Sequence, residues 1–408
     1  MISVVANPVI VLFTIGVIIF IHELGHFLLA RFNKVDVIEF AIGFGPRLFS
    51  WTHGGTIYAI RAIPFGGFVR MSGDDRLLMS EIAAIKSGGK QEPADKATEE
   101  KAALNADNQS MEGRDEEIRA LLERPDGWFL SKGYFAKSAI VIAGPLFNVV
   151  FAILLAIGSL VIYGEAVMEE GPVIGDVQAG HPADKAGIRP GDRIISINEA
   201  PMSSWQELAS TIRGSGGKEL EFVIERKGKE LEEPSSTLTV RVQPLPDSAE
   251  LEVVTGAAAK GHVIGIIPSF TYKPMAFGDS VLASCDQVWR LSVMTARSFW
   301  GLVSGKLSRK HVGGPIQMFQ EASRSAKRGG GSLLGFMIFI NVTLAVLNLL
   351  PIPILDGGHL LFFTYEAIKG STISVVAYQR MTAVGMILIM SLMLLALTND
   401  IGRVLGFY

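Results

Sequence analysis

Four stretches of the chain are apolar for long enough to cross a bilayer: roughly 8–30, 138–163, 333–355 and 375–398. A bilayer core is spanned by about twenty helical residues. The last stretch carries no charge between Arg380 and Asp400. This pattern predicts a polytopic α-helical membrane protein with four transmembrane helices. The first stretch has no basic n-region and no small-residue cleavage site, so it is expected to be a retained helix rather than a removable signal.

Between the spans the periodicity changes. Residues 31–72 alternate apolar and polar positions from Ile57 to Ile63 and carry a Gly54-Gly55 turn, which predicts a β-hairpin. It is too short to span, so it is expected either as a re-entrant sheet buried in protein or as an amphipathic surface hairpin. Residues 74–126 are polar, rich in Ala, Glu, Lys and Asp, and read as a solvated insert with a helix near Asp115–Glu123. Residues 165–250 show short strands at 194–197, 220–226 and 237–242, with a helix over 205–212 and a Pro190-Gly191-Asp192 turn. Residues 274–308 place Val281, Leu282, Cys285, Val288, Trp289, Phe299, Leu302 and Val303 at helical spacing among charges, which suits an amphipathic helix on a membrane surface.

Flanking charge orients the spans. Arg31, Lys34, Arg47, Arg61, Arg70, Lys132 and Lys137 lie between the first two, and Lys369 and Arg380 between the last two. Cytoplasmic loops are enriched in Lys and Arg, so 31–137 and 356–374 are expected on the cytoplasmic side and 164–332 on the other. Composition agrees with a membrane protein: mean hydropathy is +0.36 and only 19% of residues are charged. A net charge of −3 gives no reason to expect nucleic acid as a partner. The single cysteine, Cys285, rules out an intrachain disulfide and a cysteine-based zinc site.

The first span contains His22-Glu23-Leu24-Gly25-His26. On a helix His22 and His26 stand one turn apart on one face, so both rings reach one cation, with Glu23 beside them as a general base. Paired histidines also occur on helices that bind no metal. Ionisable groups within an apolar span, however, are costly and need partners. The third span ends in Asn348-Leu-Leu-Pro351-Ile-Pro353-Ile-Leu-Asp356-Gly357-Gly358-His359, where the prolines should stop the helix. Asp356 with His22 and His26 gives three protein ligands and an open position, the set of a catalytic zinc site; His359 competes for the third place. In the second span, Gly144-Pro145-Leu146-Phe147-Asn148 puts a polar amide inside the membrane, either as packing glue or as a contact to a substrate backbone.

Together these residues resemble the site-2 protease family (M50) of intramembrane zinc metalloproteases, most closely the bacterial RseP type. The likeness rests on His22-Glu-Leu-Gly-His26, Gly144-Pro-Leu-Phe-Asn148 and Asn348-Leu-Leu-Pro-Ile-Pro-Ile-Leu-Asp-Gly357, and covers the chain apart from 74–126. Gly187-Ile-Arg-Pro-Gly-Asp-Arg-Ile-Ile-Ser-Ile-Asn198 resembles the core of a PDZ domain, found here once. The resemblance implies one Zn2+ held by His22, His26 and Asp356, with Glu23 as general base. It implies substrate contacts at Asn148, Asn348, Pro351 and Pro353; the hairpin, read as a re-entrant sheet, would take substrate as an added strand near Gly66 and Gly67. It further implies cleavage of single-pass membrane proteins, such as anti-sigma factors or remnant signal peptides, in the bacterial cytoplasmic (inner) membrane. A peptide or C-terminus would bind the extracytoplasmic PDZ-like module. The expected order is a first span with hairpin (1–72), polar insert (73–130), second span (131–164), PDZ-like α+β domain (165–270), interfacial helix and linker (271–332), and third and fourth spans (333–408). A PDZ-bearing membrane scaffold with a vestigial metal site is the alternative, and the intact Glu23 weighs against it.

Overall fold

The computed structural model describes residues 2–76, 125–178, 180–226, 236–246 and 261–405. Most of the polar insert, including the helix expected near Asp115–Glu123, lies outside the described residues. In chain order the elements begin with α1 (Ile2–Phe32), β1 (Val37–His53), β2 (Thr56–Met71) and α2 (Tyr134–Tyr163). Next come β3 (Glu165–Met168), β4 (Ile174–Val177), α3 (Pro182–Lys185), β5 (Arg193–Ile197), β6 (Ala200–Pro201), α4 (Trp205–Gly214), β7 (Leu220–Arg226) and β8 (Ser236–Val242). The remainder is β9 (Leu245–Pro246), β10 (His262–Val263), β11 (Ile266–Pro268), β12 (Phe270–Lys273), α5 (Phe277–Val303), α6 (Pro315–Arg328), α7 (Gly330–Asn348), α8 (Asp356–Lys369) and α9 (Val375–Val404).

Among the described residues, four helices are long and apolar enough to cross a membrane: Ile10–Phe32 within α1, then α2, α7 and α9. The third span is shorter than its apolar stretch suggests. It ends at Asn348, because Pro351 and Pro353 supply no backbone N–H and the chain between them turns. Asp356 therefore does not end the third span; it opens α8, a helix in a segment expected to be a loop. A second unexpected helix, α6, precedes the third span.

The chain divides into two units, residues 1–155 with 312–408, and residues 156–311. In the first, α1 and α2 meet backbone to backbone: a Cβ at Gly25 would strike the Ala143 carbonyl. Small residues allow such close helix contact. Ala30, Val35, Val37, Met71, Phe129, Ile140, Val141 and Phe363 form a buried cluster beside this crossing. The hairpin turns at Gly54-Gly55 as its sequence predicts, but its strands fold back on themselves. Residues 39–42 pair along one edge with 67–70 and along the other with 57–60. Gly43, Gly45 and Gly66, at φ +88, +81 and +106, mark the bends. Residues 67–70 thus form an outer segment of the sheet.

The second unit is α+β. β5 to β8 form a four-stranded antiparallel sheet in the order β6-β5-β7-β8. Ile194, Ile197, Phe222 and Ile224 of the sheet pack on Leu208 and Ile212 of α4. Ser204 caps α4 by accepting from the Glu207 N–H, and Glu207 reaches back to the Ser203 N–H. Asp192, buried beyond the Pro190-Gly191 turn, accepts two hydrogen bonds from Arg226. The strands and helix read from the sequence over 194–242 are all present, and the amphipathic segment is helical as α5.

Candidate metal centre

The helical register of α1 sets His22 and His26 side by side, ring centroids 4.9 Å apart and nearly perpendicular. Both are buried. Asp356 enters from the first turn of α8. Its Oδ2 lies 3.3 Å from His22 Nε2 and its Oδ1 3.6 Å from His26 Nε2. The two Nε2 atoms are 3.3 Å apart. Ligand atoms from all three residues fall within 4.8 Å of one another, the one such histidine–carboxylate group among the described residues. His359 is not part of it; its ring packs among Phe362, Phe363 and Tyr378.

The donor set suits a divalent cation. His26 Nδ1 lies 2.8 Å from the Ile140 carbonyl. A carbonyl only accepts, so Nδ1 carries the proton and the Nε2 lone pair of the neutral ring faces the cluster. Asp356 Oδ2 is buried without a hydrogen-bond donor. A carboxylate oxygen left so needs a cation or a proton to offset its lost hydration. Two nitrogens and a carboxylate are also the ligand types of catalytic zinc.

Tight backbone contacts hold these groups. A Cβ at Gly144 would run into both histidine rings, so only glycine lets α2 lie flush on them. The turn before Asp356 is equally close-packed. A Cβ at Gly357 would meet the Leu349 and Leu350 carbonyls, and one at Gly358 would come within 2.8 Å of Pro353 Cα. Ile354, two residues before Asp356, sits at φ +93, a conformation costly for a β-branched residue. Pro351 and Pro353 thus shape the turn that carries Asp356.

Two asparagines approach His22. Asn148 Nδ2 of α2 lies 3.2 Å from its Nδ1, and Asn348 Nδ2, at the end of α7, lies 3.1 Å from its Nε2. Asn148 is fully buried. Glu23 faces a cavity of about 270 Å³ whose wall also includes His26, Asp356, His359, Arg76 and Tyr378. Arg76 donates to Glu366 at 2.6 Å and stacks over the Tyr378 ring. Gly67 abuts Glu23, with Gly66 one residue earlier against the Phe44 ring. The ten residues given expected roles therefore belong to one region, and His359 lines the same cavity. The reading of the sequence had no role for Ile140, Gly25 or Arg76. Ile140 acts through its carbonyl, which side-chain pattern does not reveal.

The model of peptidase family M50 matches residues 10–392. A Brucella suis biovar 1 protein, named as a candidate zinc metalloprotease, is 30% identical over 393 residues, covering 96% of this chain and 93% of its own. A Rhizobium meliloti protein named in the same way is 31% identical over 398 residues, covering 97% and 96%. The zinc metalloprotease RasP of Geobacillus kaustophilus is 32% identical over 431 residues, covering 95% and 96%. With a match of this extent, and relatives similar along almost their whole length, the chain belongs to peptidase family M50.

Proposed function

We propose that the protein is an intramembrane zinc metalloprotease that cuts the membrane segments of single-pass proteins. The observation that carries this reading is the meeting of His22, His26 and Asp356, drawn from distant parts of the chain, beside a cavity faced by Glu23. His22, His26 and Asp356 would hold one zinc ion. Bound there, zinc would polarise the scissile carbonyl and lower the pKa of a water toward neutrality. Glu23 takes the proton of the attacking water and returns it to the leaving amine. The Asn348 amide, at the mouth of the Pro351–Pro353 turn, holds the substrate backbone and helps to bind the developing oxyanion.

A helical substrate must unwind first, because its carbonyls already accept intrahelical hydrogen bonds. Strand addition along residues 67–70 offsets that cost by giving the unwound backbone new partners. This is supported by the register, in which 67–70 pair on one edge with 39–42, and by the contact of Gly67 with Glu23. The α+β unit acts as a PDZ-like module on the extracytoplasmic side of the bacterial inner membrane, selecting substrates by a peptide or C-terminus. The hairpin lies at membrane depth, and the metal lies toward the cytoplasmic face.

The test is reconstitution with a model single-span substrate. Wild type should cleave it and Glu23→Gln should not, while both retain zinc. Equal cleavage by the two proteins refutes the mechanism. His22→Ala and Asp356→Ala should each lose zinc, and undiminished zinc in both refutes the ligand set.

A further inference from the structure

We propose that Asn148 is a positioning residue: its amide oxygen accepts the His22 Nδ1–H and thereby keeps the His22 Nε2 lone pair on the cluster. The inference rests on the metalloprotease reading above and assigns Asn148 a role other than substrate contact. It begins with one face of α2. Ile140, Gly144 and Asn148 are four residues apart, so they line one face of the helix. Gly144 lies flush on both rings. Ile140 accepts from His26 Nδ1 through its carbonyl, and Asn148 stands at the same nitrogen of His22. The same helix face meets both histidines at Nδ1.

A proton count selects the orientation of the amide. Amide nitrogens lie 3.2 Å from His22 Nδ1 and 3.1 Å from Nε2. A neutral imidazole has one N–H and one lone pair, so it cannot accept from two amides. One amide must present its oxygen, and the two ends of an amide have nearly the same shape. Turning the Asn148 amide pairs its buried, unpartnered Oδ1 with the Nδ1–H and moves Nδ2 to the place the oxygen left; the Ile140 carbonyl at His26 Nδ1, on the same face of α2, favours this choice over turning Asn348. The turned amide fixes the proton on Nδ1 and leaves the Nε2 lone pair, which Asn348 Nδ2 approaches at 3.1 Å, beside His26 Nε2 and Asp356. A metal-bound histidine commonly donates its other ring N–H to a carbonyl or carboxylate in this way. Asn148 is wholly inaccessible, which a substrate contact would not be.

The experiment compares full-length wild type, Asn148→Asp and Asn148→Leu in detergent. Aspartate keeps the acceptor, and leucine keeps the approximate volume without it. Zinc affinity is measured by competition with a chromogenic chelator, alongside kcat and KM. Asn148→Leu should bind zinc about 10- to 100-fold more weakly, with kcat reduced and KM unchanged, and Asn148→Asp should stay within a few-fold of wild type. Wild-type zinc affinity in Asn148→Leu, or an equal loss in both variants, would overturn the proposal. Nitrogen-15 histidine spectra of the metal-free wild type do not depend on how a variant folds. A protonated Nδ1 at His22 is expected, and an unprotonated Nδ1 overturns the assignment. A wild type that holds no zinc would instead sink the metalloprotease reading, while the spectra still decide the tautomer.

Discussion

Gly67 and Glu23 are in contact across the hairpin and the first helix: a methyl group at position 67 would stand 3.0 Å from Glu23 Cγ and 2.9 Å from the Ala41 carbonyl. The strand backbone and the proposed base share one wall, and only hydrogen fits between them. Gly67→Ala should displace Glu23 and lower kcat about 10-fold or more, equivalent to about 1.4 kcal/mol of barrier. Zinc content should not change, because the three proposed ligand atoms lie elsewhere. Turnover at saturating substrate together with metal analysis checks this, and unchanged turnover would show that the wall yields.

Gly358 tests the other side of the centre. Its Cβ would collide with the Ile352–Pro353 backbone that fixes the approach of Asp356. Gly358→Ala should weaken zinc binding at least several-fold and lower the melting temperature. Chelator competition and thermal unfolding measure the two effects. Wild-type zinc affinity would mean that Asp356 tolerates movement of its turn.

Asp400 binds α6 to the fourth span. It accepts from the backbone N–H groups of Gly314, Ile316 and Gln317, at 3.0, 2.9 and 3.1 Å. These are orphan donors at the start of a helix, and a negative charge there also favours the helix dipole. Asp400→Ala should cost about 2–3 kcal/mol, and Asp400→Asn, which keeps one acceptor oxygen, less. Thermal unfolding of the two variants gives the ranking; equal losses would refute it.

Glu39 should make the hairpin sensitive to acid. Its side chain is buried between Arg47 at 2.8 Å and Arg61 at 2.6 Å. Burial raises the pKa of its carboxyl, but the hydrogen bonds and charges of the two guanidiniums outweigh burial and hold it below its ordinary value of 4.5. A carboxyl depressed in the folded state stabilises above its unfolded pKa, and that contribution is lost as pH falls through the folded one. Glu39→Gln should therefore melt below wild type at pH 7, with the difference shrinking once the pH drops under about 4. A constant difference across this range would show that packing, not charge, makes the pair matter.

The spans, the histidine pair and the strands of the second unit were legible because each depends on residues close in sequence. Hydropathy misplaced the end of the third span: Leu349, Leu350, Ile352, Ile354 and Leu355 are as apolar as the helix before them, and the scale does not register the N–H groups missing at Pro351 and Pro353. Helix α8 was hidden because Gly357 and Gly358 are poor helix formers. Their value lies in close approach to carbonyls of the preceding turn. Helix α6 was hidden because its capping carboxylate is 84 residues away from Ile316. The meeting of Asn148 with His22, 126 residues apart, has no local signature either. Of the candidate site, sequence yielded the chemical groups, and long-range packing supplied their relation.

The placement of Asp356 at the head of α8 also bears on the synthesis of the protein. Translation delivers His22, Glu23 and His26 first and the proposed third ligand about 330 residues later. Until α8 has been made and packed, the nascent chain has two histidines and a base but no complete proposed ligand set. A chain that cuts membrane helices, as proposed above, would remain inert toward neighbouring helices, and toward its own, until α8 was in place.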